Sequence, residues 1–566
     1  MVKKDMPLIR KRILDLCGLI LLIYTVIFMT GMIRSAFSEA DVPNEYQEMT
    51  NVMLTDCFLK GINPYTVENA CKQEEPGYIY FYGPLYSAVT ALVGQIVNID
   101  LVTLHYAVSL ATMIISGILA AAIVWEKTRS FFPTTAAFLF IINCTWRYGY
   151  INAVPDSMAF MLVILVLFIE TRKDFKCKDI LEVLCLVAIF YTKIYVAFVA
   201  FPLFIYKLVK SRKRAIKFAL CGLVITAVSV LVINITCPLL FTYCIYFLHG
   251  PLGMVTPFST PSTPVSKAEK YRIALDVLLF RNKTDPPGGM GYEILQLRTL
   301  AGMFFFMFLW MVFGIVKFVK AGFDRIPDHM LLFFIETVGS IPALLFLGTN
   351  DGAWLSYYLQ LMIPPLILFS LIFLYDEIAE KGSGKFGITL IGLYIVTVFF
   401  TTYRTSQRLP FYYMTPEQRE TWDDMHSLLD SALQEGEVYY SPILAYHGIR
   451  NGSYIYNRSL NGRRYKIMLY EYERTEWLQK LFPYAGLVMK KNVDFNDNVL
   501  MGKIRNGEFS LITASIDSEG GDRVLTVEDI ESGPYELTDE VMMPVSRTCY
   551  SIKLWRRIDN INLEVE

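Results

Sequence analysis

Long apolar runs, broken by short polar connections, dominate the first four hundred residues. A membrane helix needs about 20 mostly apolar residues. The first such run, Ile13 to Ile33, follows Lys3, Lys4, Arg10, Lys11 and Arg12. It is long and lacks a small-x-small cleavage site, so it reads as an anchor rather than a signal peptide. Further runs fall at about 101–124, 131–147, 157–170, 179–193, 194–209, 218–241, 297–317, 330–348, 354–375 and 386–403. The pattern predicts a polytopic α-helical membrane protein with about eleven transmembrane helices. Pro84 to Val97 is apolar but short, and is expected to lie along the membrane surface.

Lysine and arginine in the short loops set the orientation. With the N-terminus cytoplasmic, Lys127 and Arg129, the 172–178 loop, the 207–217 loop, Lys317, Lys320, Arg325, Lys381 and Lys385 all fall inside. The short outer connections hold only Arg147 and Lys193. This topology places two long loops, 34–100 and 242–296, and the whole segment 404–566 outside. The latter segment carries charge throughout. Its β-rich runs Glu437–Leu444 and Gly452–Tyr456, and turn pairs such as Asn451-Gly452, predict a C-terminal extracytoplasmic mixed α/β domain. The expected division is therefore 1–403 in the membrane and 404–566 outside.

Composition agrees. Of 566 residues, 54% are hydrophobic and 14% aromatic, and mean hydropathy is +0.40. A soluble chain of this length would carry more charge. A formal net charge of −1 argues against a nucleic-acid partner. The spans are poor in ionisable residues and show neither paired halves nor Gly/Pro-broken centres, which counts against a transporter or flippase. A non-catalytic envelope scaffold is a further alternative.

Chemistry is expected where polar groups meet the outer membrane face. The first outer loop carries Asp41, Glu45 and Glu48, suited to general-base work or to a divalent cation, although wet loops also need acids for solubility. The same loop holds Tyr65 in Gly61-Ile62-Asn63-Pro64-Tyr65, and Tyr80 and Tyr82 in Tyr80-Phe81-Tyr82-Gly83-Pro84. These aromatics are candidates for a substrate cavity or for an interfacial belt. Cys57 and Cys71 share the loop, as a disulfide or as free thiols. Asp156 lies in Pro155-Asp156-Ser157, where capping alone would account for it. Lys193, isolated at an outer hairpin tip, calls for an anionic partner such as a lipid phosphate, or else snorkels to the headgroups. The proline-rich loop 242–296 is read as a lid or a linker, and Arg272, Arg281 and Arg298 are further phosphate candidates, as is Arg147. His426 and His447 are read as ordinary packing or surface residues.

The order of these features resembles the glycosyltransferase C superfamily: membrane glycosyltransferases dependent on polyprenyl-phosphate sugars, including protein O-mannosyltransferases and aminoarabinose transferases. The likeness rests on one span, an acidic loop with Gly-x-Asn-Pro-Tyr and Tyr-x-Tyr-Gly-Pro-Leu-Tyr, a surface helix, Pro-Asp-Ser, and Thr-Lys at a hairpin tip. It implies transfer of a sugar from a polyprenyl-phosphate-linked donor to an envelope polysaccharide, lipid or protein acceptor, with inversion; the short N-terminus and compact loops suit a bacterial plasma membrane. It also implies a first-loop carboxylate as base. Asn44-Glu45-Tyr46 is the nearest match, with Asn where Asp is usual, so Glu45 ranks before Glu48 and Asp41. Asp156 matches the second acidic position and Lys193 the hairpin lysine. Metal dependence varies among members.

Overall fold

The computed structural model describes residues 8–39, 48–71, 80, 82–147, 149–172, 177–247, 302–322, 325–351, 360–380, 385–407, 420, 423–424, 427–431, 437–440, 454–456, 462–515, 527–545 and 548–558. Each of the eleven apolar runs coincides with a helix. These are α1 (Leu8–Glu39), α5 (Leu101–Thr128), α6 (Phe131–Arg147), α7 (Asp156–Thr171), α8 (Lys178–Thr192), α9 (Ala200–Lys210), α10 (Arg212–Thr236), α11 (Phe305–Ala321), α12 (Asp328–Asp351), α13 (Ile363–Glu380) and α14 (Lys385–Ser406). Between α1 and α5 run α2 (Glu48–Leu59), the single turn α3 (Val67–Ala70) and α4 (Leu85–Gly94). Four of the described helices are long and apolar enough to cross a membrane: Ile9–Phe37, Leu101–Thr128, Arg212–Thr236 and Phe386–Ser406. Among the described residues, length and composition thus support four of the eleven expected spans.

The bundle is held by close helix contact around an apolar core. A Cβ at Gly18 of α1 would lie 2.8 Å from a Phe131 ring carbon and 3.2 Å from Phe132 Cα, so α1 and α6 approach almost to backbone contact. α7 is the most enclosed element. From Met158 to Leu167 it buries nearly every side chain, against α5, α8 and their neighbours. α10 does the reverse and buries only Ala215 and Phe218, while Leu220, Leu223, Val224 and Leu231 are exposed. A stripe of that kind is tolerable only against hydrocarbon.

The expectation that the interior is nearly free of ionisable groups requires correction. Glu182, Lys207 and Glu336 are buried inside α8, α9 and α12. Glu182 and Glu336 sit singly within apolar runs and pass unnoticed in the sequence, and Lys207 counts there only as a loop charge. Only the packing of these helices brings Lys207 Nζ to 2.6 Å from Glu182 and 2.8 Å from Glu170 at the end of α7.

The C-terminal segment is a mixed α/β unit, as its pattern predicts. β1 (Val438–Tyr440), β2 (Tyr454–Tyr456), β3 (Leu511–Ser515), β4 (Tyr535–Val545) and β5 (Thr548–Arg557) form one sheet in the order β2-β1-β3-β5-β4. β1 is parallel to β2 and β3, whereas β5 is antiparallel to β3 and β4. Trp555, Phe509, Ile512 and Leu500 fill the core beneath it. Helices α15 (Gly462–Arg474), α16 (Glu476–Leu481) and α17 (Ala485–Asp494) face the membrane part instead. Tyr246, in a π-helical turn Thr242–Phe247 after α10, stacks on Phe482 at 5.2 Å and donates to the Met468 carbonyl at 3.3 Å.

Within the sheet unit, the Phe509 N–H donates to the Tyr535 hydroxyl at 3.0 Å. Burial pushes the Tyr535 phenol up from 10 to about 12. An acid whose pKa is raised on folding stabilises the fold fully below its unfolded pKa, and that contribution fades as pH rises through the folded value. The sheet unit should therefore lose stability between about pH 10 and pH 12. Thermal melts of full-length protein should show a smaller loss over that window in Tyr535→Phe than in the wild type.

Candidate functional site

At one end of the bundle the start of α7 meets the break after α8. The helix ends at Thr192, and Lys193 takes an extended conformation before a 3₁₀ segment, Ile194–Val199. That break turns the lysine inward. Lys193 Nζ donates to Asp156 Oδ1, and both side chains are almost fully buried, at 5% and 8% exposed. The ammonium also lies 5.8 Å from the Tyr82 ring and 5.1 Å from the Tyr195 ring. Asp156 opens α7, where the helix dipole favours a carboxylate. In a medium of low dielectric this pair interacts far more strongly than it would in water.

Gln360, ahead of α13, completes the cluster. Its Nε2 donates to Asp156 Oδ1 at 2.8 Å and to the Asp156 carbonyl at 3.3 Å. The sequence reading missed it; the available signal was one amide at the outer end of an apolar run, in Leu359-Gln360-Leu361-Met362. The Gln360 Oε1 and Ser157 Oγ atoms are both buried and have no hydrogen-bond partner among the described residues. Unspent buried polar atoms are costly, and beside a charged pair they are suited to a polar ligand.

The first loop reaches this cluster through a close approach. A Cβ at Gly83 would stand 2.0 Å from the Tyr191 carbonyl oxygen, so only glycine lets the chain pass the end of α8. Tyr82 is thereby laid against Lys193, and its carbonyl accepts from Cys244 Sγ at 3.2 Å. A second set of bonds fixes α2 and α4 on α5. Thr55 Oγ1 pairs with His105 Nε2 at 2.8 Å, Ser87 donates to the Asn51 carbonyl at 3.1 Å, and Tyr86 Oη meets Ser109 Oγ at 2.9 Å. Glu48, at the start of α2, is buried and accepts from Tyr106 Oη at 3.3 Å on each oxygen. Burial holds the Tyr86 phenol well above its ordinary range, and the nearby charges of Glu48 and Asp156 push it further the same way. One tyrosine therefore stands within electrostatic reach of both carboxylates.

The remaining candidates are placed elsewhere. Tyr65 and Tyr80 are packed in the aromatic cluster below the C-terminal helices, with ring centroids 6.2 Å apart and Tyr243 at 5.9 Å from Tyr65. The Asn-Pro-Tyr turn closes the end of α10: Asn63 Nδ2 donates to the Thr236 carbonyl at 2.8 Å, and Leu239 N–H to the Tyr65 carbonyl at 3.0 Å. Arg147 donates to the carbonyls of Arg404, at 3.0 Å, and Gln407, tying α6 to α14. Cys57 and Cys71 are free thiols. Asp41, Glu45, Arg272, Arg281, Arg298, His426 and His447 lie outside the described residues, as does the lid-or-linker segment beyond Phe247 up to residue 301. Among the described residues no three His, Cys, Asp or Glu side chains converge as a metal site.

No protein-family model matches the sequence, and no curated protein is detectably similar to it. Structure is the informative comparison. The chain is similar to ArnT from Cupriavidus metallidurans in the apo state, with a TM-score of 0.55 and 13% identity over 95% of this chain and 98% of that one. The same protein bound to undecaprenyl phosphate matches with a TM-score of 0.51 and 12% identity over 94% and 98%. ArnT is an aminoarabinose transferase of the glycosyltransferase C superfamily. At this identity the likeness establishes the fold: the chain is a membrane protein with the architecture of those enzymes. The resemblance drawn from the sequence holds at that level.

Removing one partner of a buried ion pair leaves the other uncompensated, at about 3–5 kcal/mol. Asp156→Asn and Lys193→Met should each destabilise the detergent-solubilised protein by about that amount, whereas the double variant should recover more than half of the summed loss. Strictly additive losses in mixed-micelle unfolding would show that the two groups are not coupled. Gly83→Ala should cost about 1–3 kcal/mol by the same measurement, because the Tyr191 carbonyl must give way.

Proposed function

We propose that this protein is a membrane glycosyltransferase that moves a sugar from a polyprenyl-phosphate-linked donor to a cell-envelope acceptor on the extracytoplasmic face, with inversion. The observation that carries the reading is the buried Asp156–Lys193–Gln360 cluster, set at one end of an ArnT-like bundle. The positive-inside bias of the loops supports placing that end outside. Residues 1–403 would form the catalytic part and 404–566 an outer domain.

Lys193 is the group for the donor phosphate. As the bond from anomeric carbon to phosphate oxygen breaks, charge accumulates on the departing phosphate, and a desolvated ammonium stabilises it more than water does. Asp156 and the two flanking tyrosines hold that ammonium in place before substrate arrives. A carboxylate of the first loop takes the proton of the acceptor hydroxyl while its oxygen attacks the opposite face of the sugar. Glu45 ranks first in this role by its sequence context, followed by Glu48 and Asp41. Glu48 is supported by its burial and by its place, with Asp156, around Tyr86. Arg298 and Arg147 remain secondary phosphate candidates, and Tyr82 is better placed than Tyr65 or Tyr80 to touch the donor.

Transport is the reading that the buried charges at the far end would favour. Between Asp156 and Glu170 the buried face of α7 is apolar apart from Ser157, so a polar route would have to run along α12 past the buried Glu336, Thr337 and Ser340.

The test is transfer in vitro from radiolabelled polyprenyl-phosphate sugars by purified full-length protein. Wild type should turn over only with donor lipid. Lys193→Ala and one of Glu45→Gln, Glu48→Gln or Asp41→Asn should lose several orders of magnitude in kcat, and chromatography should show inverted product. A donor panel that gives neither turnover nor binding would remove this reading.

A further inference from the structure

We propose that the end of the bundle opposite Asp156 carries a binding site for an anionic membrane lipid, with the headgroup phosphate in a basic cavity and an acyl chain along α10. The two ends are separated by the length of α7, whose 16 residues span roughly 24 Å at 1.5 Å per residue. At the far end a cavity of about 450 Å³ opens between α7, α8, α9, α10 and α12. Lys127, Arg172, Lys178, Arg214 and Lys217 line it, against Glu170, Asp179 and Asp328.

These acids are already held from within the protein. Glu170 accepts from Lys207 at 2.8 Å and Arg214 at 2.9 Å, and pairs with Lys178 at 3.1 Å; Asp179 accepts from Lys207 at 3.1 Å. Asp328 pairs with Lys210 at 2.5 Å. Behind the wall, Lys207 and Lys210 are matched by Glu182, which pairs with Lys207, and Glu126, which lies 2.7 Å from Lys127 and 3.0 Å from Arg172. With Glu336, buried beside Lys207, Glu170 and Glu182, counted as well, the second layer leaves an excess of one cation. That excess suits one phosphate diester or a headgroup of similar charge.

A second hollow decides the class of ligand. An open apolar hollow of about 540 Å³ lies along one face of α10, over Ile216, Leu220, Cys221, Val224 and Ile225, and Lys213 and Lys217 border it. Lys217 thus belongs to both hollows, so the basic cavity continues directly into an apolar trough on a helix whose exposed side chains face hydrocarbon. A free phosphate would use the cavity alone. A lipid uses both, with its charge at the level of the basic loops and its chain alongside Leu220 and Val224. This site is separate from the Asp156 cluster and does not rest on the proposed transferase activity.

Native mass spectrometry of the full-length protein in detergent, titrated with dioleoylphosphatidylglycerol, dioleoylphosphatidylcholine and inorganic phosphate, tests the site. The anionic lipid should bind roughly tenfold or more tightly than the zwitterionic one. Lys217→Glu, at a side chain 74% exposed, should abolish that preference, and Val224→Trp should weaken retention of the lipid by filling the trough. Neither change touches the packed core, and unchanged melting temperatures would confirm it. Equal retention of both lipids, unaltered binding by Lys217→Glu, or inorganic phosphate competing as strongly as the intact lipid would each overturn the proposal.

Discussion

A lysine and an aspartate buried side by side at the mouth of a hydrocarbon-facing bundle impose conditions on everything around them. Neither charge is tolerable alone in that medium, so the start of α7 and the break after α8 must stay in register. Gln360 adds a third element by bonding Asp156 through both its side chain and its carbonyl. Tyr82 and Tyr195 then flank the ammonium and keep water from it. The result is a buried ammonium paired with one carboxylate and flanked by two rings, the group to which the proposed function gives the donor phosphate.

The first loop is committed to the same point by sterics rather than by charge. Gly83 passes the Tyr191 carbonyl at a distance that no side chain permits. The Asn63 turn closes α10, and the hydroxyl ladder of Thr55, Ser87 and Tyr86 fixes α2 and α4 upon α5. The C-terminal helices then cover the loop through Tyr246, Phe247, Tyr465 and Phe482. Contacts of this kind make the C-terminal segment a wall of the membrane part as much as a unit of its own.

Charge is distributed unequally between the two ends. Among the described residues, one holds the Asp156–Lys193 pair and the buried Glu48 with unspent polar atoms beside them; the other holds interlocked pairs around Lys207 and a basic excess toward the loops. Both arrangements are placed near helix ends, where water and headgroups lower the cost of ionised groups. The apolar middle of α7 keeps them apart.

The hydrophobic periodicity was sufficient for eleven helices and for the mixed α/β tail, because a run of apolar residues has few structural options in lipid. Loop charges gave an expected orientation, and local order marked Asp156 and Lys193 as candidates. What sequence spacing did not contain was proximity. That Lys193 meets Asp156, that Gln360 joins them, and that Tyr65 and Tyr80 turn away into a packed cluster depend on how helices distant along the chain lie against one another. The same holds for Glu182, a single charge within an apolar run, and Lys207, a loop charge in the sequence, which only packing makes partners. A sequence records which groups are expensive to bury; only the tertiary structure decides which of them share the cost, because electrostatic energy depends on distance in space and not along the chain.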